Sequence, residues 1–125
     1  MQVDPGLCYL PIAGPNEKKH LHIVLTPPDD DGEIIVVSVS TQRPGSDTTV
    51  VLKPGDHPFI DHDSVVMYRT AAPTPVRVLS QRLDSRLYDL HEPMSAEILA
   101  RIQNGVLDSK FTPLGIKRRW RFYGI

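Results

Sequence analysis

Short apolar runs broken by proline, glycine and aspartate fill the first ninety residues, and their spacing is that of strands. Leu7 to Ile12 is a first candidate strand, followed by the turn formers Gly14-Pro15-Asn16 and the charged Glu17-Lys18-Lys19. His20-Leu21-His22-Ile23-Val24-Leu25 reads as the second strand, stopped by Pro27-Pro28. Asp29-Asp30-Asp31-Gly32 carries an aspartate–glycine turn signal and should lead through a hairpin into Glu33 to Thr41. Within that third strand, Ile34-Ile35-Val36-Val37 is apolar on both parities and predicts cover on both faces, whereas Ser38-Val39-Ser40 returns to alternation. Arg43 to Asp47 is a loop, Thr48 to Leu52 a further strand, Pro54-Gly55-Asp56 a turn, and Ser64 to Tyr68 and Val76 to Leu79 two more strands.

The period changes near the end. Ser95 is a plausible N-cap, and Ile98, Leu99, Ile102 and Val106 form an apolar stripe at helical spacing that should stop near Asn104-Gly105 or a turn later. Pro113 forbids much continuation. Twelve prolines against eight glycines leave little room for a long helix before residue 93. The 125 residues fit one domain, 1–125, mainly β, as a small barrel or sandwich with a C-terminal helix and a basic tail. No internal repeat or low-complexity segment interrupts it.

Composition narrows the setting. Hydrophobic residues at 40% and charged residues at 23% are globular values, so the chain should fold. Apolar runs of about five residues are far short of the roughly twenty a membrane span needs. No basic segment followed by an apolar run opens the chain, so the expectation is a cytoplasmic protein without membrane contact. Cys8, the one cysteine, has no internal disulfide partner and reads as a small core residue. The net charge of −1 hides an uneven layout, with acids at Asp29 to Asp31 and Asp56 to Asp63 and a basic Lys117-Arg118-Arg119-Trp120-Arg121. That tail could meet phosphates by charge and a base by stacking, or be a solvated or subunit-facing end.

Four stretches resemble the MazF/PemK family of plasmid-maintenance and growth-inhibitor toxins. Gly6 to Ile12 resembles the family's first strand. Lys19 to Thr26 lies where the family has an arginine–proline followed by a strand, and Ile35 to Gln42 resembles its strand ending in a catalytic threonine or serine. Asp63 to Val66 with Val76 to Leu83 resembles its later strand and the segment before the terminal helix. The likeness spans about residues 6 to 107 and rests on order and spacing. It implies a small SH3-like barrel with a C-terminal helix, usually a homodimer, that cleaves single-stranded RNA without metal or other cofactor and is inhibited by an antitoxin protein. The family's catalytic arginine has no clear counterpart, since Lys18, Lys19 and His20 occupy that stretch. The alternative is therefore a catalytically inactive barrel that binds a protein or nucleic-acid partner, and a third reading is a subunit of a larger assembly.

Transesterification by a 2′-hydroxyl needs a proton acceptor, a proton donor and a cation. His20 or His22, which alternation sets on one face opposite Leu21 and Ile23, could exchange the protons. Ser40 or Thr41 could hold a phosphate oxygen or the sugar, and Lys18 or Lys19 could supply charge without arginine's fork. Catalytic candidates are thus His20, His22, Ser40 and Thr41; binding candidates are Lys18, Lys19, Gln42, Arg43 and His57. The dense Asp56, His57, Asp61, His62, Asp63 run invites a metal reading, but its loose spacing favours a polar turn with Asp56 capping backbone, His57 packed beside Pro58 and Phe59, and Asp61 and Asp63 facing water. His57 or His62 follows His20 as a catalytic candidate.

Overall fold

The computed structural model describes residues 2–12 and 19–123. The turn expected at Gly14 to Glu17, and Lys18 with it, lies outside the described residues. Six strands, β1 (Cys8–Pro11), β2 (His22–Val24), β3 (Glu33–Thr41), β4 (Val51–Leu52), β5 (Ser64–Pro75) and β6 (Tyr88–His91), form an antiparallel sheet in the order β4-β5-β3-β2-β1-β6. The sheet curls into a half-barrel, and helices α1 (Val76–Asp84), α2 (Ala96–Asp108) and α3 (Leu114–Trp120) complete the fold. The mainly β architecture with a C-terminal helix is that expected from the pattern.

β3 is covered on both faces, as its apolar run requires. Ile35, Val37 and Val39 face a main core with Ile23, Leu25, Val66 and Tyr68, which α2 seals with Ile98, Ile102 and Val106. Ile34 and Val36 face a smaller cluster with Tyr9, Val24 and Leu79 of α1. Ser95 caps α2, accepting the Ile98 N–H at 3.3 Å. Among the described residues no helix is long and apolar enough to cross a membrane.

Three expectations are corrected. Val76 to Leu79 is the start of α1, not a strand: Val76, Leu79 and Leu83 recur at helical spacing and pack on the smaller cluster, and Pro75, with φ of −63°, stands at the N-cap. β5 runs seven residues past Tyr68, through Pro73 and Pro75. β4 pairs only with Ser64 and Val65, so the rest of β5 has an open side on which a missing proline N–H costs no ladder bond. The basic tail is a folded helix. Trp120 is 3% exposed and Ile116 is buried with it in the main core, so the indole is not free to stack on a base.

Arg119 is also committed. Its Nη2 donates to Asp29 Oδ2 at 2.7 Å and to Glu33 Oε1 at 3.0 Å, clasping α3 to the turn before β3. The Glu33 N–H, and against burial the Arg119 guanidinium and the Asp31 N–H, hold the Asp29 carboxyl below its usual range. A depressed carboxyl contributes stability that is present above its unfolded value near 4 and lost as pH falls through the folded one. The stability gap between the parent and Asp29→Asn, read from urea midpoints, should therefore be widest near pH 6 and shrink toward pH 3.

Tyr68, fully buried, donates its hydroxyl to the Ile102 carbonyl at 2.7 Å beneath α2. Gly105, the next turn of that helix, leaves the room: a Cβ there would lie 2.1 Å from the Tyr68 oxygen. Alanine normally gains about 1 kcal/mol over glycine in a helix interior. Overpacking should outweigh that gain and leave Gly105→Ala destabilised by about 1–3 kcal/mol in urea unfolding, with a smaller cost in a Tyr68→Phe background.

Candidate functional site

β3 outruns its α1 cover. Past Val36 the face that carries Ile34 and Val36 continues with Ser38 and Ser40, which by alternation point the same way, and two concavities open there. The first, of about 310 Å³, is lined by Lys19, His20, Ser40, Thr41, Asp61 and His62 among others. The second, of about 210 Å³, is lined by His22 and Ser38 together with Tyr9, Thr70, Arg82 and Tyr88.

In the first concavity a chain of hydrogen bonds orders the chemistry. Asp61 Oδ1 lies 2.5 Å from His62 Nδ1, and His62 Nε2 lies 2.8 Å from Thr41 Oγ1. An ionised carboxylate only accepts, so Nδ1 carries the hydrogen, and in the neutral ring Nε2 accepts from the Thr41 hydroxyl. His20 is fixed likewise: its Nδ1 donates to the Val39 carbonyl at 3.1 Å, leaving Nε2 as the bare nitrogen of the neutral ring. Two oriented imidazoles, two hydroxyls and the exposed Lys19 ammonium therefore share one groove.

The remaining candidates are placed differently. His20 and His22 do share the face opposite Leu21 and Ile23, which are buried in the core, but they line separate concavities. Gln42 and Arg43 are exposed just past the end of β3, where the Gln42 N–H bonds the Asp63 carbonyl and the Arg43 N–H bonds Ser46 Oγ. His57 does not face a ligand: it is 3% exposed, Nε2 donates to the Glu92 carbonyl at 2.5 Å, and Nδ1 accepts the Phe59 N–H. It ties the loop before β5 to the segment entering α2. The rest of the 56–63 run is spent locally, with Asp56 accepting the Lys53 N–H and Asp63 paired with Lys53 Nζ at 2.8 Å.

The sequence ranks His62 behind His20 and leaves Asp61 to solvent, because neighbours in a loop carry no periodicity that fixes their side chains. What joins them to Thr41 is the β3–β5 pairing, which sets Thr41 opposite Ser64. Tyr9 and Arg82 also escape the sequence reading, Arg82 because it lies past the strand expected at Val76 to Leu79 and only α1 carries it to the sheet.

No family model and no curated protein matches the chain by sequence. Among solved structures, a chain in the crystal structure of MazE–MazF from Deinococcus radiodurans superposes with a TM-score of 0.55 and 16% identity, over 86% of this chain and 95% of that one. The likeness shows that this protein shares the fold of that chain.

His57→Ala removes the partner of the part-buried Phe59 N–H and of the Glu92 carbonyl. It should cost about 1–3 kcal/mol of unfolding free energy, which the urea midpoints of the parent and the variant would read directly.

Proposed function

We propose that the protein is a toxin of the toxin–antitoxin kind that cleaves single-stranded RNA without a metal ion. The observation that carries the reading is the joining of His20 and the Asp61-oriented His62 around Ser40 and Thr41, on a fold shared with a chain of MazE–MazF.

The groups present suffice for transesterification. One bare imidazole nitrogen accepts the 2′-hydroxyl proton as that oxygen attacks phosphorus, and the other imidazole, protonated, donates to the departing 5′ oxygen. Charge accumulating on the non-bridging oxygens meets the Lys19 ammonium and the Ser40 hydroxyl, while Thr41 positions the His62 ring. Lysine here stands where the resemblance expects arginine, a point charge in place of a bidentate fork. Asp61 stabilises the His62 imidazolium once formed, as the orienting carboxylate of a triad does. The partner that restrains such a protein is an antitoxin, the working form is a homodimer, and the setting is the cytoplasm.

A rival reading, a binding barrel without catalysis, draws support from Asp61 and Asp63, exposed carboxylates that repel an RNA backbone.

Incubation of the purified protein with a long single-stranded RNA in the presence of a chelator separates the two. The expected result is discrete cleavage leaving 2′,3′-cyclic phosphate ends, with kcat/KM lower by about 10²–10⁴ in His20→Ala or His62→Ala and by less in Thr41→Ala. An intact RNA after exposure to well-folded parent protein would sink the enzyme reading and leave the binding barrel.

A further inference from the structure

Across the sheet from β1 to β3, the register sets Tyr9 opposite His22 and His22 opposite Ser38. One row further along, past the start of β2, come His20 and Ser40 of the catalytic groove. Two residues of strand separate the rows, about 6.6 Å, the scale of one step of an extended polynucleotide.

The concavity on the first row is a built site. Tyr9 is 3% exposed and lines the cavity, and its hydroxyl has no hydrogen-bond partner among the described residues. Its ring is stacked between His22 at 5.0 Å and Tyr88 at 4.8 Å, giving a run of flat aromatic surface. His22 Nδ1 donates to the His20 carbonyl at 2.9 Å, and burial lowers the pKa of the ring, so Nε2 is a bare acceptor near neutral pH. Thr70 gives its hydroxyl hydrogen to the Met67 carbonyl at 2.6 Å, so Ser38 Oγ donates to Thr70 Oγ1 at 3.0 Å and keeps its own lone pairs free. Arg82, held by Tyr88 through a 2.6 Å bond and across its ring face, supplies a cation at the edge.

We infer that this concavity is a pocket for the unpaired nucleobase adjacent to the scissile phosphate, with Tyr9 and His22 reading the base edge and Arg82 meeting the neighbouring phosphate. The inference rests on the RNA-cleaving reading for its substrate. The chemistry favours a base over a peptide side chain: one donor, the Tyr9 hydroxyl, and two acceptors, His22 Nε2 and the Ser38 lone pairs, line the cavity beside aromatic rings, the kind of array that a base edge with mixed donors and acceptors satisfies, and Arg82 adds a cation to the same lining. Because recognition of such an edge depends on one buried hydroxyl, its loss leaves a ligand group unpaired and relaxes selectivity more than it weakens the fold.

The test uses 2′-O-methyl trinucleotides, which resist transesterification, of each of the four bases, titrated into protein labelled in its histidine rings with chelator present. His22 resonances should move for at least one base well before the others. Tyr9→Phe, which keeps the stacked ring, should weaken that binding about five-fold or more and even out the four bases, and Arg82→Ala should weaken all four alike. Absence of any His22 response at millimolar trinucleotide, or identical base preference in Tyr9→Phe, overturns the pocket. The two readings fail separately. Cleavage of long RNA with a Tyr9→Phe product pattern identical to the parent's removes the pocket and keeps the ribonuclease; base-selective His22 shifts without any cleavage keep the pocket and remove the ribonuclease.

Discussion

The rest of the structure depends on the need to cover β3 on both faces. Four successive apolar residues, Ile34 to Val37, put large side chains on each side of a strand in the middle of the sheet. Burying a side chain of that kind is worth about 1.5–3 kcal/mol, so neither face can be left to water without losing a large part of a domain's net stability. One face is met by α2 and the opposing strands, the other by the short α1 that follows β5. The clasp of Arg119 on Asp29 and Glu33 then fastens the last helix to the turn that begins the same strand.

The candidate site follows from the limit of that cover. α1 is nine residues long and its apolar stripe reaches Ile34 and Val36 but not the end of the strand. Beyond it the sequence changes to serine and threonine, and β2 and β1 contribute His22 and Tyr9 in register. The polar end of a half-buried strand thus becomes a furrow with two adjacent concavities, one holding imidazoles and hydroxyls and the other aromatic and hydrogen-bonding groups. Its side chains are held by the same pairing that stabilises the sheet, so the site is organised before any ligand arrives, which lowers the ordering cost of binding.

Charge plays an unequal part. The basic tail, the most conspicuous charged feature of the sequence, spends Arg119 and Trp120 on folding. The acids at residues 29 to 33, equally conspicuous, are its counterpart. Among the described residues, Lys19 is the lysine or arginine that lines the concavity of His20 and His62, and Arg82 lines the second. At net charge −1 the overall field does not attract a polyanion, so the proposed RNA substrate would have to be held by local placement of a few cations.

By itself the sequence determined the mainly β architecture, most of the strands, the Ser95-capped helix and the both-sided burial of Ile34 to Val37, because hydrophobic period and capping chemistry are local signals. It also put His20, Ser40 and Thr41 among the candidates, since those residues sit at the polar ends of readable strands. It misread Val76 to Leu79, where β-branched residues and alternation imitate a strand and only packing against Tyr9 and Val24 selects the helix. It did not mark β6, whose Tyr88-Asp89-Leu90-His91 is too short and polar to stand out until β1 supplies a partner. The tertiary structure alone decided that His62 joins Thr41 while His57 is tied to the Glu92 carbonyl, that His20 and His22 line different concavities, and that Trp120 is core. Those outcomes depend on which distant segments meet across the sheet, and contacts between residues twenty or more positions apart leave no periodic trace in the chain.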